Sequence, residues 1–513
     1  MNKTYSIISL LSLVVITGCQ KLDENPKGNL TPESFTSQKD LDAAVAGIYT
    51  VYAYDGAYGF TSRMCSYFGA DDLTTDPGLN KQDQRDFDRL NGSSTNGSLN
   101  AQWEGPWRAI YNANNVIANY TRIKGDENLK TIAAGQAYFL RAWGYYMLVR
   151  TFGPLPLVLA PLDADARPPR EEVSKIYEAI ISDLKNAKAM LPAPNAANYP
   201  WKSEPGRANQ FAATALLANV YLTMTGWPIN QNSYYALAAT EAESLIKQNF
   251  YNLNTPYDKV FSTNGSSESV FSLYFKVSGN LPQRGFGASS VPLDESGLDA
   301  SGGWDDYYPE INFYLKAPPC TRSTATFYTT LKLKQPNNTF KLVPWNSTET
   351  HAGHPYYKKF RSGLNGDGVK ETDTTILSIQ ASTNKALDII RYPMTLLDYA
   401  EASAMANNGP TADSYNAINL VRKRAGLPNL TSGLSATAFR DSVVFERAYE
   451  FAGEFGMRWF DVVRLQLLPK INADRSTAEN PIVPGDINNR YLAPIPFNEM
   501  LRNQAVWKQN GGY

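Results

Sequence analysis

The residues best equipped for chemistry fall in three stretches. Between residues 446 and 464, Glu446, Glu450 and Glu454 recur every four residues, which places carboxylates on one helical stripe. Carboxylates at such spacing could share acid and base roles. Yet Arg447, Arg458 and Arg464 stand three or four residues from Glu450, Glu454 and Asp461, the spacing of ion pairs within a helix. A carboxylate beside an arginine stays ionised and makes a poor general acid. The expected role is therefore a structural network that fixes helix docking.

The second stretch, residues 299–314, contains Gly302, Gly303, Trp304, Asp305, Asp306, Tyr307, Tyr308, Pro309 and Glu310. A pyranose has apolar C–H faces and a rim of hydroxyls. Aromatic rings pack on the first and carboxylates accept hydrogen bonds from the second, so this composition suits a sugar. Trp304, Tyr307 and Tyr308 are the expected stacking rings, and Asp305 with nearby acids the hydroxyl acceptors. The same loop would suit a peptide, and the plainer alternative is that Trp304 plugs the loop onto a scaffold. A surface glycosidase using Asp305 and Asp306 is disfavoured, because adjacent residues usually point apart and seldom flank one bond.

The third stretch gathers Trp345, His351, His354, Tyr356 and Tyr357. Trp345 and Tyr356 are expected to add platforms facing the same groove. Gly353 and Pro355 break the helix that would align the two histidines, so no metal site is expected there. Asn365, Gly366, Asp367, Gly368 and Glu371 offer oxygen ligands in a turn but lack the alternation of an EF-hand loop, which leaves structural calcium open. No other cofactor is expected. The chain carries no G-x-S-x-G elbow, no H-E-x-x-H and no phosphate loop.

These stretches need a frame. Apolar residues recurring at three and four predict helices over residues 40–52, 103–120, 134–152, 171–191, 207–224 and 234–247, and again over 385–406, 412–425 and 436–467. Leu217, Ala218 and Tyr221 followed by Ala238 and Ala242 resemble the small-residue pattern of tetratricopeptide hairpins, where alanine lets helices approach closely. Leu396, Tyr399, Ala400 and Ser403 followed by Tyr415, Ile418, Val421 and Ala425 repeat it. From 251 to 388, Gly, Pro, Ser, Thr and Asn dominate, and the alternating run 269–276 suggests a strand. The expected fold is mainly α: a tetratricopeptide-like scaffold over 32–250 and 385–513, carrying an insertion of irregular loops and short strands over about 251–384.

At the N-terminus, Lys3, an apolar stretch over residues 7–16 and the exit Thr17-Gly18-Cys19 have the layout of a signal peptide over 1–18. Cys19 directly after Thr17-Gly18 looks like a lipobox, with cleavage before a lipidated cysteine. Residues 19–31 are polar and aperiodic, as in a tether. Later hydrophobic runs are interrupted by charge, as by Arg141 and Arg150, so anchoring through lipid rather than a membrane span is expected. A net charge of −1 argues against nucleic acid as a partner. Besides the anchor only Cys65 and Cys320 remain, which permits one disulfide and no disulfide framework.

Three runs carry a family resemblance: residues 419–428 (NLVRKRAGLP), 446–451 (ERAYEF) and 456–464 (GMRWFDVVR). With Leu492 to Pro496 and Gln509 to Tyr513 they resemble the C-terminal signature of the SusD/RagB family, and the region 103–115, Arg141-Ala142 and Phe152 to Leu157 agree. Met457 departs from the pattern, where relatives often have histidine. The resemblance implies an outer-membrane, surface-exposed lipoprotein that captures oligosaccharide or polysaccharide and caps a SusC-like TonB-dependent transporter, with peptide as the ligand in some RagB-like relatives. Lys21, Asp23 and Glu24 are similar to the family's surface-export signal. Asp71, Asp72, Asp76 and Arg85 lie in a loop where relatives often place hydrogen-bonding ligand residues, and are expected to join the site. Trp103 and Trp107 match scaffold positions and are expected in the core.

Overall fold

In a computed structural model of the chain, the residues described are 35–53, 57–59, 61–163, 165–202, 206–262, 264–275, 283–284, 286–296, 303–361, 382–454, 456–485 and 489–513. The expected signal peptide, Cys19, the tether and the 365–371 turn lie outside them.

Helices start where side chains can satisfy the first free N–H groups. Asn96 accepts from Leu99 to open Gly97–Asn119, Asp126 from Leu129 to open Glu127–Phe152, and Asn209 from Ala212 to open Gln210–Met224. Thr411 and Ser414 form a reciprocal capping box at the head of Ala412–Arg424. The helices stack in sequence order: Gln38–Ala53 on Gly97–Asn119, then Glu127–Phe152, Val173–Met190, Gln210–Met224 and Tyr234–Ile246. Tyr392–Ala406 packs on Tyr234–Ile246 and then receives Ala412–Arg424 and Ala436–Glu450. The stack thus continues across the residue 251–388 excursion as if it were absent. Ala213, Ala218, Ala238, Ala242 and Ala400 are buried, consistent with close approach at the hairpins. Trp103 is buried with its ring edge-on to Phe152, and Trp107 is partly buried beside it. Among the described residues no helix is long and apolar enough to cross a membrane.

Two expected helices are corrected. Residues 385–406 are not one helix: Leu387–Arg391 is a strand paired antiparallel with Ser269–Leu273, and the helix begins at Tyr392 with Pro393 in its first turn. The strand is how the excursion closes on the stack. Residues 436–467 divide into Ala436–Glu450 and Met457–Arg464, because the backbone turns at Gly453 and Gly456, both with positive φ. Gly453 donates its N–H to Asp72 Oδ2, and a Cβ there would stand 2.8 Å from the Tyr357 ring.

The 446–464 charges are structural, though they pair mainly between elements. Among the described residues, the one expected pair at three- or four-residue spacing that forms is Arg464 with Asp461. Glu450 receives Arg322, Arg391 and Arg424, while Glu454 receives Lys359 and Arg391. Glu268 receives Arg391 and Arg424, and Glu446 receives Arg322 and Arg422. Arg322 and Lys359 come from the excursion and Arg391 from its closing strand, so this network welds the site-bearing loops to the helices. Arg447 joins Asp398, Glu401 and Asp461 in a second cluster. Cys65 is buried and Cys320 half-buried, and neither is in a disulfide, so the permitted bridge is not formed.

Candidate functional site

The loop after Tyr67 and the 303–310 loop are far apart in sequence, yet Thr74 and Tyr308 join them by an antiparallel bridge with N–H···O distances of 2.8 and 3.1 Å. The Thr75 hydroxyl donates to the Asp306 carbonyl at 2.8 Å, and Lys81 forms an ion pair with the Asp306 carboxylate. A third loop closes in from above. Tyr356 donates its hydroxyl to Asp305 Oδ1 at 2.7 Å, and His351 Nδ1 lies 2.9 Å from Asp305 Oδ2 and 3.4 Å from Asp76 Oδ2. The Leu293 N–H adds a bond to Asp305 Oδ1 at 2.8 Å. Gly303 enters the site at φ +91° and lies so near the Pro292 carbonyl that a Cβ would stand 2.8 Å from it.

These contacts enclose a cavity of about 640 Å³, large enough for a short oligosaccharide segment. Trp304, half-buried, and Leu293 supply its apolar wall; Asp76, Asp83, Asp305 and Asp306 supply carboxylates. Asn80, Gln82, Gln84 and Ser98 add neutral polar groups. Burial pushes the Asp305 carboxyl up, while the Tyr356 hydroxyl, the Leu293 N–H and His351 pull it back down. Chemically, the arrangement can stack a ring on the indole and accept hydrogen bonds from hydroxyls. Asp76, Asp305 and His351 each place one donor atom within 4.8 Å of the others, and are the described residues that could hold a cation. In the structure the imidazole nitrogen itself spans the two carboxylates.

Of the residues expected from sequence, the structure brings Trp304, Asp305 and Asp76 together on the cavity wall. Tyr307, Tyr308 and Tyr356 are not stacking platforms: their rings are buried. Tyr308 packs on His354 and Tyr356 in a small core with Leu331 and Val343, and Tyr307 on Tyr357. Glycines loosen only the entry to this loop; the β-bridge then fixes it. Trp345 packs edge-on to Tyr314 with centroids 5.7 Å apart and does not line the cavity. Arg85 is positional, donating to the Pro77 carbonyl at 2.7 Å and also to Gly78 and Gln82, which shapes the loop carrying Lys81. Asp71 takes both ends of the Arg458 fork at 2.6 and 2.9 Å and borders a separate hollow beside Phe445 and Tyr449. Asp72 is buried, its carboxyl pushed up to about 7 by burial and by Asp71.

The histidines part company. His354 bonds Glu479 at 3.0 Å, whereas His351 faces the cavity. Lys81, Asp83 and Ser98 escaped the sequence reading. Asp83 Oδ2 accepts from the Ser98 N–H and hydroxyl, a pairing across two helices with no local signature.

Comparison with known proteins agrees along nearly the whole length. A family model described as starch-binding and associating with the outer membrane matches residues 21–222, and the SusD family model matches residues 178–513. A SusD-like protein, P2, of Formosa agariphila is 27% identical over 539 residues, covering 100% of both chains. Among solved structures, a SusD homolog from Bacteroides thetaiotaomicron superposes with a TM-score of 0.79 at 22% identity, covering 94% of this chain and 98% of the other. Surface glycan-binding protein A from Bacteroides fluxus gives 0.74 at 23% identity, covering 93% and 100%.

Proposed function

The chain belongs to the SusD family, and on that premise we propose that it is a non-catalytic, lipid-anchored glycan-binding protein of the cell surface. It captures oligosaccharide in the cavity beside Trp304 and hands it to a SusC-like TonB-dependent transporter in the outer membrane. The observation that carries this reading is the half-buried Trp304 indole set in a 640 Å³ cavity whose lining is otherwise mostly polar, with four carboxylates and three side-chain amides. The family description of starch binding at the outer membrane, and the name of the similar surface glycan-binding protein, support the ligand class and the location. Asp305 and Asp306 are each committed to other partners, Asp305 to Tyr356 and His351, Asp306 to Lys81, which suits holding a ligand better than hydrolysing it.

Tethering through Cys19 would keep the binder beside its transporter at high effective concentration, so modest contact area suffices for delivery. Pull-down on a polysaccharide panel alongside a peptide mixture tests the ligand class. Retention on at least one glycan is expected, with affinity falling by about 1 to 3 kcal/mol in Trp304→Ala, as for loss of an aromatic anchor. Retention of peptides alone, or release of reducing ends from a bound glycan, would replace the reading.

A further inference from the structure

The cavity is lopsided in charge. Among the described residues lining it, Asp76, Asp83, Asp305 and Asp306 face only Lys81 and His351 as bases. Lys81 is committed to Asp306, with both side chains more than nine-tenths buried. His351 is directed at Asp305 and Asp76. Arg85, on the same loop, spends its guanidinium on the Pro77 and Gly78 carbonyls and does not line the cavity. Proteins that hold carboxylate or sulfate groups do so with arginine forks, ammonium groups or clustered N–H donors aimed at the ligand. Here the wall offers the reverse, carboxylates in excess of cations around a recess where field lines are concentrated.

We infer that the cavity takes uncharged or amine-bearing sugars and turns away sugars carrying carboxylate or sulfate. This rests on the glycan reading above and narrows its ligand class. With Lys81 cancelling Asp306 and His351 offsetting at most one of the remaining three, at least two negative charges are left within reach of a bound ring. At the effective dielectric of a partly exposed site, that repulsion weakens an anionic ligand by about tenfold or more.

Two measurements on the full protein test it. The first reads the cavity's field without any sugar. Fluorescence quenching by caesium and by iodide is compared between wild type and Trp304→Phe, so that the difference isolates Trp304. With each ion's quenching expressed relative to its quenching of free N-acetyltryptophanamide, caesium is expected to exceed iodide several-fold at Trp304 at low salt, with the gap shrinking in high salt and in Asp76→Asn/Asp83→Asn. Equal relative quenching by the two ions would overturn the inference. The second measures calorimetric affinity for a glycan retained on the panel and for its uronate and sulfated counterparts. Tighter binding of either anionic form would also overturn it. If no glycan binds at all, the glycan reading fails, and the quenching result still decides the charge of the cavity.

Discussion

Carboxylates gather in two parts of this molecule, and their surroundings give them opposite work. Around Glu450, four acids (Glu268, Glu446, Glu450 and Glu454) meet five cations (Arg322, Lys359, Arg391, Arg422 and Arg424), with Glu450 and Arg391 wholly buried. Each acid in that cluster touches at least two cations, so its charge is answered before any ligand arrives. Around Trp304, four acids meet Lys81 and His351 beside an open recess. The first cluster joins elements distant in sequence, and the second leaves its acids outnumbering the cations along a cavity wall. Acid content does not distinguish a weld from a binding wall; the number of partners and access to solvent do.

The largest effect that follows is on the weld. Glu450→Ala leaves Arg322, Arg391 and Arg424 buried without their shared partner, and removing one side of a buried ion cluster costs about 3–5 kcal/mol. Thermal unfolding should show a large fall in Tm. A Tm within a degree or two of wild type would mean that the cluster contributes little and that the comparison misplaces its role.

Acid should attack the same cluster. Burial alone would raise the Glu450 carboxyl, but Arg424, Arg391, Arg322 and Lys359 outweigh it and hold it at about 2. A carboxyl depressed on folding adds stability that is fully present above its unfolded value near 4.5 and is lost as pH falls toward 2. Asp388 and Asp398 act in the other direction, because burial pushes each up to about 6. They favour the folded state as pH falls from about 6 to their unfolded value of 3.8. Asp72, pushed up to about 7, adds to this, so stability is expected to rise as pH falls from 7 to about 4 and to fall below that, where Glu450 alone of these groups still takes up its proton more readily in the unfolded chain. Denaturant midpoints across pH check this, and Glu450→Gln should flatten the acid limb.

How much of this was written in the sequence follows from the range of each interaction. Helices of the stack were legible because their apolar period and caps, such as Asn209 and Thr411, act within a turn. The Leu387–Arg391 strand was not, because its partner Ser269–Leu273 lies more than a hundred residues away. Site residues divide in the same way. Trp304, Asp305 and Asp76 could be selected by type, since an indole among acids in a glycine-bounded loop is unusual. Tyr307 and Tyr308 share that composition, but the Thr74 bridge turns the loop so that their rings enter the core. Nothing local reports a bridge to a residue 234 positions away in the chain. Arg458 likewise has the right spacing for Glu454, but its fork goes to Asp71.

Trp304→Ala separates the two regions from the other side. Its indole is half-buried in the cavity wall and belongs to neither hydrophobic cluster. Stability should change by less than about 1 kcal/mol, while glycan affinity falls by about 1 to 3 kcal/mol. Tm and calorimetry on one preparation measure both. A variant that loses more stability than affinity would make Trp304 a plug and break the contrast.

The smallest effect sets the floor of the comparison. Lys341 and Glu349 form an ion pair at 2.7 Å, as short as many in the weld, but each side chain is about half exposed (52% and 50%). Water already solvates both charges, and holding two long side chains in one geometry costs entropy, so exposed pairs contribute between zero and about 1 kcal/mol. Glu349→Ala is expected to move stability by under about 0.5 kcal/mol, with the change vanishing in high salt. Chemical denaturation at two salt concentrations measures it. If the loss approached that of Glu450→Ala, distance rather than burial and partner number would govern these pairs, and the Glu450 cluster would differ from the surface only in location.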